Sequence, residues 1–482
     1  MRKFVYFVLF LLVTTLILPA CRTKGPEEKK QTYDGIELTY YKVFDDSEVL
    51  EPIIAEYEAA HPGLKINYRQ FVDFEEYERL ILNELAEGEG PDIFSMQNTW
   101  FASNYKKLSP LPENFGTVDD FNSTFADVAA KDLVRTDQAG VERVYGVPMT
   151  VDTLALYYNK AHFEDRIPSR GKPSDTWEGI KEDVVFLNKE DNSLGRFEVA
   201  GIAMGRGDNI SRGVDILYLL FLQYGVNFYN ENISEATFAS QTGGAGQYPA
   251  ATALDFFASF ADENQKNYSW NKFIADPDSA EKELDAFVEG KVSMIVGFSY
   301  TYDEILQRIN ALKTDGVSTI DPADVRIAPI PQIVDPDVST QKRVTYANYF
   351  AETVARTSEH PDIAWDFLLE LTKKKNLQHY FDKTHKPTSR RDMIDEQKKD
   401  PIYGVFAGQV GFAESFPIID YYDYKNIFTD IIEAVVEDGG QARGLLTKAQ
   451  ETINAMLPIE GILVPKAAVP TGDEADAPAK TE

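Results

Sequence analysis

Residues 36–96, IELTYYKVFDDSEVLEPIIAEYEAAHPGLKINYRQFVDFEEYERLILNELAEGEGPDIFSM, carry the alternation that decides the fold. The opening IELTYYKV has the β-branched and aromatic content of a strand, and Asp46 or Ser47 follows as a helix N-cap. Leu50, Ile53, Ile54 and Tyr57 recur at helical spacing, so a helix is predicted to about residue 60, where His61-Pro62-Gly63 stops it. Residues 64–71 (LKINYRQF) alternate as a second strand, residues 74–87 carry another amphipathic helix, and residues 92–96 (DIFSM) read as a third strand. Strand, helix, strand, helix, strand predicts an α/β fold with a parallel sheet and right-handed crossovers.

Outward from this stretch the same alternation continues less clearly. Residues 155–158 (ALYY) and 292–296 (VSMIV) read as buried strands, and residues 253–262, 361–372 and 428–436 as helices. Gly171-Lys172-Pro173, the glycine-rich residues 243–246 and residues 335–337 (DPD) are turns or surface loops. Residues 21–34 are polar with few apolar anchors, which suits a flexible tether, and residues 466–482 read as a disordered tail.

The N-terminus, MRKFVYFVLFLLVTTLILPAC, has basic Arg2 and Lys3, an apolar run over residues 4–18, and a Leu-Pro-Ala-Cys sequence that resembles a bacterial lipoprotein processing site. The run is shorter than the roughly 20 residues a spanning helix needs, so residues 1–20 are expected to be a removed signal peptide. Cys21, the only cysteine, is then the lipid anchor, since each buried methylene of an acyl chain such as palmitate contributes roughly 0.8 kcal/mol. Removal of the signal peptide leaves about 460 of the 482 residues, enough for at least two domains. No further cysteine is left for disulfides or thiolate metal sites.

The formal charge of −30 becomes −32 once Arg2 and Lys3 are lost, which repels phosphate backbones and anionic lipid; nucleic-acid binding is not expected, and the membrane is reached through the anchor alone. The charges look spread over solvated helix faces.

Several motifs then resemble one family. Residues 86–93 (AEGEGPDI) match its Gly-Pro-Asp-Ile/Val approach to the third strand, and residues 145–148 (YGVP) followed by 156–160 (LYYNK) match its crossover into a second lobe. Thr176-Trp177-Glu178 is similar to its Thr-Trp-Asp-Glu helix start, and residues 287–294 (FVEGKVSM) to its Phe-x-x-Gly-Lys-Ala-Ala-Met strand. In this order and spacing they resemble the extracellular solute-binding proteins of ATP-driven importers, family 1, the carbohydrate-binding group that includes the maltose-binding protein.

The resemblance implies the type II periplasmic-binding-protein fold: two α/β lobes, each a mainly parallel sheet flanked by helices, joined by crossover hinge strands. It puts lobe one at residues 35–147 and 298–374 and lobe two at 148–297 and 375–465. It also implies a monomer that closes on a small molecule, most readily a mono- or oligosaccharide, and delivers it to permease subunits.

Open parallel sheets bind ligands beyond the carboxyl ends of their strands. In the family pattern this selects Gln97, Asn98 and Trp100 after the third strand, Tyr145 and Asp152 at the crossover, and Phe298, Ser299 and Tyr300 after residues 292–296. The loop at 205–210 (GRGDNI) adds Asp208 and Asn209, and Asn348 with Tyr349 completes the set; Tyr421 or Tyr424 is a further candidate. Sugars offer apolar C–H faces ringed by hydroxyls, so aromatic, amide and carboxylate side chains are the chemistry required. The family often carries a tryptophan after the strand at 290–296, where this chain has Phe298-Ser299-Tyr300, so stacking passes to Phe298 or Tyr300.

Reactive motifs are scarce. His61, His162, His360, His379 and His385 form no HExxH or tight ligand spacing, Gly205-x-Gly207-x-x-Ile210 lacks the third glycine of a dinucleotide loop, and no GxSxG or Walker loop occurs. Neither catalysis nor a cofactor or metal is expected. The alternatives are an anchored or secreted carbohydrate-active enzyme, which needs only two carboxylates, and a non-transport sensory or adhesion lipoprotein.

Overall fold

The strand Ile36–Val43 pairs in parallel along its whole length with Leu64–Phe71, and its other edge pairs in parallel with Ile93–Gln97. Each crossover is a helix whose start and stop are local. Asp46 caps Ser47–Ala60 by accepting from Glu48 N, and the stripe Val49, Leu50, Ile53, Ile54, Tyr57 is buried on the sheet. Asp73 caps Phe74–Glu87, which ends at Gly88 in the left-handed region (φ 78°). The third strand begins at Ile93, because the Asp92 carboxylate is taken by Thr39 N at 2.8 Å and Ser358 Oγ at 2.5 Å. The structure, a computed structural model, describes residues 33–191, 196–241, 246–279, 282–335 and 342–458. The expected signal peptide, Cys21, nearly all of the expected tether, the turns expected at 243–245 and 336–337, and the expected tail lie outside these residues.

Phe350–Val354 joins the same sheet from far along the chain, antiparallel to Ile93–Gln97 on one side and to Gly146–Pro148 on the other. The result is a five-stranded, mainly parallel sheet. The second sheet has Ala155–Asn159 in the middle, with Met294–Gly297 and Val325–Ala328 antiparallel on its two sides. The expected mainly parallel sheet in each lobe is therefore corrected for the second. Unbroken apolar runs such as ALYY and MIVG report burial on both faces and carry no information about direction.

Two cores result. One holds Leu38, Tyr40, Ile53, Ile81, Phe94, Val147, Ala351, Trp365 and Leu368; the other holds Leu156, Trp177, Leu217, Phe257, Phe287, Ile295, Ile305 and Phe428. The chain passes between them at Val151 to Leu154, at Tyr346 to Ala347, between Met393 and Tyr403, between Phe406 and Val410, and between Ala413 and Phe416. This corrects the lobe limits drawn at 298 and 375. The helix Thr301–Thr314 buries Ile305, Ile309 and Leu312 in the second core, and Val325 follows it there. The helix Lys374–Thr384 instead puts Leu377 and Tyr380 into the first core, where His379 Nε2 meets Val49 O at 3.0 Å. At the crossing a small sheet forms, with Thr345–Asn348 paired to Asp152–Thr153 and to Ala413–Glu414, so hinge strands join the lobes.

Candidate functional site

The carboxyl ends of the first lobe's strands and the turn after Met294–Gly297 face one another across a cavity of about 510 Å³. Its floor is the hinge, from which Asp152 and Asn348 point in. The first lobe supplies Lys42, Phe44, Asp45, Phe74, Gln97 and Phe350, and the second supplies Arg212, Phe298, Tyr300, Glu304 and Tyr421. Phe44 sits at the lip, half exposed, with φ 70°. Asp45 N bonds Val43 O at 2.9 Å, closing a three-residue turn around Phe44 of the rare, strained kind. That turn lays the Phe44 ring near Phe74 (6.2 Å, 19° between planes) and edge-on to Phe350 (6.1 Å). Phe74 also meets Tyr421 of the other lobe at 5.8 Å.

Opposite, Phe298 and Tyr300 stack at 5.9 Å and 22°. The Arg212 guanidinium lies 5.4 and 5.6 Å from their ring centres and donates to Tyr300 Oη at 2.5 Å. Polar groups sit between the aromatic walls. Gln97 Nε2 donates to Asn348 Oδ1 at 2.9 Å, while Gln97 Oε1, buried, has no partner and is an acceptor left for a ligand.

Seven of the sequence candidates therefore line the cavity: Gln97, Asp152, Phe298, Tyr300, Asn348, Tyr349 and Tyr421. Asn98 and Ser299 lie just behind it. Asn98 accepts from Tyr349 N at 3.1 Å and donates to Asp132 at 3.0 Å, and Asp132 takes the Tyr349 hydroxyl at 2.8 Å. Ser299 Oγ donates to Asp152 at 2.7 Å. Trp100 is corrected to a core position, 1% exposed and packed 5.2 Å behind Phe74. Tyr145 packs on Tyr105 at 5.3 Å in the first core, and Tyr424 is buried in the second with its hydroxyl 2.8 Å from that of Tyr229. Asp208 and Asn209 are also corrected: Arg206 binds Asp208 at 2.8 and 2.9 Å, while Asn209 bridges Trp270 Nε1, Asn271 O and Ala275 O. Loop polar groups here are held by one another, and neither Asp208 nor Asn209 lines the cavity.

Sequence reasoning missed the charged half of the site. Lys42 Nζ pairs with Glu352 and, at 3.3 Å, with Asp45, which also receives Lys386 Nζ at 2.7 Å and Tyr380 Oη at 2.5 Å. Burial alone would raise the Asp45 carboxyl, but Lys386, Lys42 and Tyr380 outweigh it and hold it well below the usual range. Lys42 is raised despite burial, by Glu352 and Asp45. Phe44 and Asp45 follow the end of the first strand, so the rule that selected Gln97 also points to them. Lys386 and Arg212 come from segments that only tertiary packing brings here.

A family model for bacterial extracellular solute-binding proteins matches residues 44–378, more than half of the chain. The chain belongs to that family. The maltodextrin-binding protein MdxE of Bacillus subtilis is 22% identical over 455 residues, covering 91% of this chain and 93% of that one. Among solved structures, the sugar-binding protein MalE of Xanthomonas citri aligns with a TM-score of 0.68 at 15% identity, over 87% of this chain and 97% of that one. A cyclo/maltodextrin-binding protein complexed with maltotetraose gives 0.66 at 17%, over 89% and 98%. The solute-binding protein thus has the two-lobed fold of those structures.

Its hinge carries a pH-sensitive group. Burial pushes the Asp152 carboxyl up to about 6, against the opposing hydrogen bonds from Ser299 and Thr153. The folded value lies above the unfolded one near 3.8, so the folded state holds this proton more tightly. The stability it contributes is present below about 3.8 and is lost as pH rises through about 6. Between about pH 4 and pH 7 the solute-binding protein should lose on the order of 2–3 kcal/mol relative to Asp152→Asn. Denaturant melts of both proteins across that range check this, and parallel curves would refute it.

Proposed function

We propose that this solute-binding protein captures a saccharide between its lobes and delivers it to the permease of an ATP-driven importer, while Cys21 holds it by lipid at the outer face of a membrane. The observation that carries the sugar assignment is the pair of facing aromatic walls, Phe44, Phe74 and Phe350 against Phe298 and Tyr300, with Gln97, Asn348 and Asp152 between them. Rings accept the C–H faces of a pyranose, and amides and carboxylates take its hydroxyls. The names of MdxE and of the maltotetraose complex support the same class.

Binding, rather than turnover, is supported by how two of the three cleft carboxylates are used: Asp45 is committed to two lysines and Tyr380, and Asp152 to Ser299 and Thr153. A ligand that touches both walls favours the closed form only by the contacts it adds there, and closure is what a permease can read.

A thermal-shift screen of the protein begun after the tether tests this, using mono- and oligosaccharides beside polyamines and peptides. A saccharide at about a hundred times its dissociation constant should stabilise the protein by roughly 2.7 kcal/mol and shrink its scattering radius. Stabilisation by a polyamine or peptide alone, or hydrolysis of a bound glycoside, would overturn the assignment.

A further inference from the structure

A second cavity of about 520 Å³ lies within the second lobe, behind the Phe298–Tyr300 turn. It shares two residues with the interlobe cleft, Arg212 and Glu304, which form the wall between them. Each volume falls in the range of roughly 300–1,000 Å³ that small-molecule sites occupy.

The two chambers differ in chemistry. The cleft sets charged groups between aromatic walls, whereas the second chamber is lined by no aromatic side chain and has polar groups from three segments: Ser211 before the helix Gly213–Gln223, Glu283 on Lys282–Val288, and Thr301, Gln307 and Arg308 on Thr301–Thr314. Several are already fixed in place. Glu283, 5% exposed, accepts from Ser211 N at 2.8 Å and from its Oγ at 3.0 Å. Arg308 forms a two-point pair with Asp285 at 2.5 and 2.9 Å. A guanidinium has five N–H donors in one plane, so Arg212 can serve both sides of the wall.

Resting on the sugar reading above, we infer that the binding site continues past Arg212 into this chamber, and that the ligand is an oligosaccharide lying across the guanidinium. One part of the chain stacks between the aromatic walls. A terminal unit enters the second chamber, where hydroxyls meet carboxylate, amide and guanidinium groups and no ring platform is required.

The test is calorimetric titration of the full soluble protein with a series of increasing chain length from whichever saccharide class binds. Affinity should rise at least tenfold when the chain outgrows the cleft. Gln307→Trp, on the exposed side of its helix, fills the chamber and should erase that gain while leaving the shortest binder within about twofold; Ala311→Trp is the second blocking variant. Affinity independent of length, or a length gain that survives both blocks, would overturn the extension and leave the cleft assignment standing. If no saccharide of any length binds, the sugar reading itself fails and the extension falls with it.

Discussion

Replacing Lys42 with methionine is expected to lower stability by about 3–5 kcal/mol, the typical cost of removing one member of a buried ion pair. Lys42 is 3% exposed and Glu352 is fully buried. Glu352 keeps hydrogen bonds from Tyr40 at 2.8 Å and Ser95 at 2.9 Å, but without Lys42 its charge has no cation within reach of an ion pair among the described residues. Asp45 fares better because Lys386 remains. The urea midpoint should therefore fall sharply, and the double variant Lys42→Met with Glu352→Gln should recover most of the loss, since both buried charges are then gone. An unchanged midpoint in the single variant would refute the pairing.

Arg212→Ala should weaken saccharide binding by at least a hundredfold, or about 2.7 kcal/mol. Its guanidinium lies against both rings of the second wall, fixes the Tyr300 hydroxyl, and approaches Asp215 at 3.5 Å. A charge-assisted hydrogen bond from this guanidinium to the ligand would contribute about 1.5–3 kcal/mol, and without Arg212 the Phe298–Tyr300 wall also loses the cation that holds its rings in place. Arg212→Lys keeps the charge but loses the planar fork, and should recover only part of the affinity. Calorimetry on variants shown to be folded by circular dichroism measures this. Equal affinity in the wild type and Arg212→Ala would remove Arg212 from the site.

Local signals explain which parts of this architecture could be read in advance. Asp46, Asp73 and Gly88 cap their helices through contacts a few residues long, and the strands between them alternate on a half-buried surface, so residues 36–97 were legible almost to the residue. Strand direction in the second lobe was not legible, because Ala155–Asn159 and Met294–Gly297 are apolar on both faces. In the site, Gln97, Phe298 and Tyr300 follow strand ends and were found, whereas Lys386 and Arg212 owe their places to packing between segments distant in sequence. Trp100 shows the opposite error: a large ring in the right loop looks like a platform, but the ring that lines the cavity is the partly buried Phe74, which covers it.

The interleaving of the lobes governs the order in which the molecule can be built. Tyr40 finds its hydrogen-bond partner 312 residues further on, in the strand that fills the gap between Ile93–Gln97 and Gly146–Pro148. Until residues 350–354 have been synthesised, Ile93–Gln97 presents an open edge, and the second core waits longer still for Tyr421–Asp438 and Ala442–Met456. Such distant pairing folds slowly, and unfinished edges are sticky. A nascent or truncated chain therefore keeps that edge uncovered long after its first βαβ unit has left the ribosome.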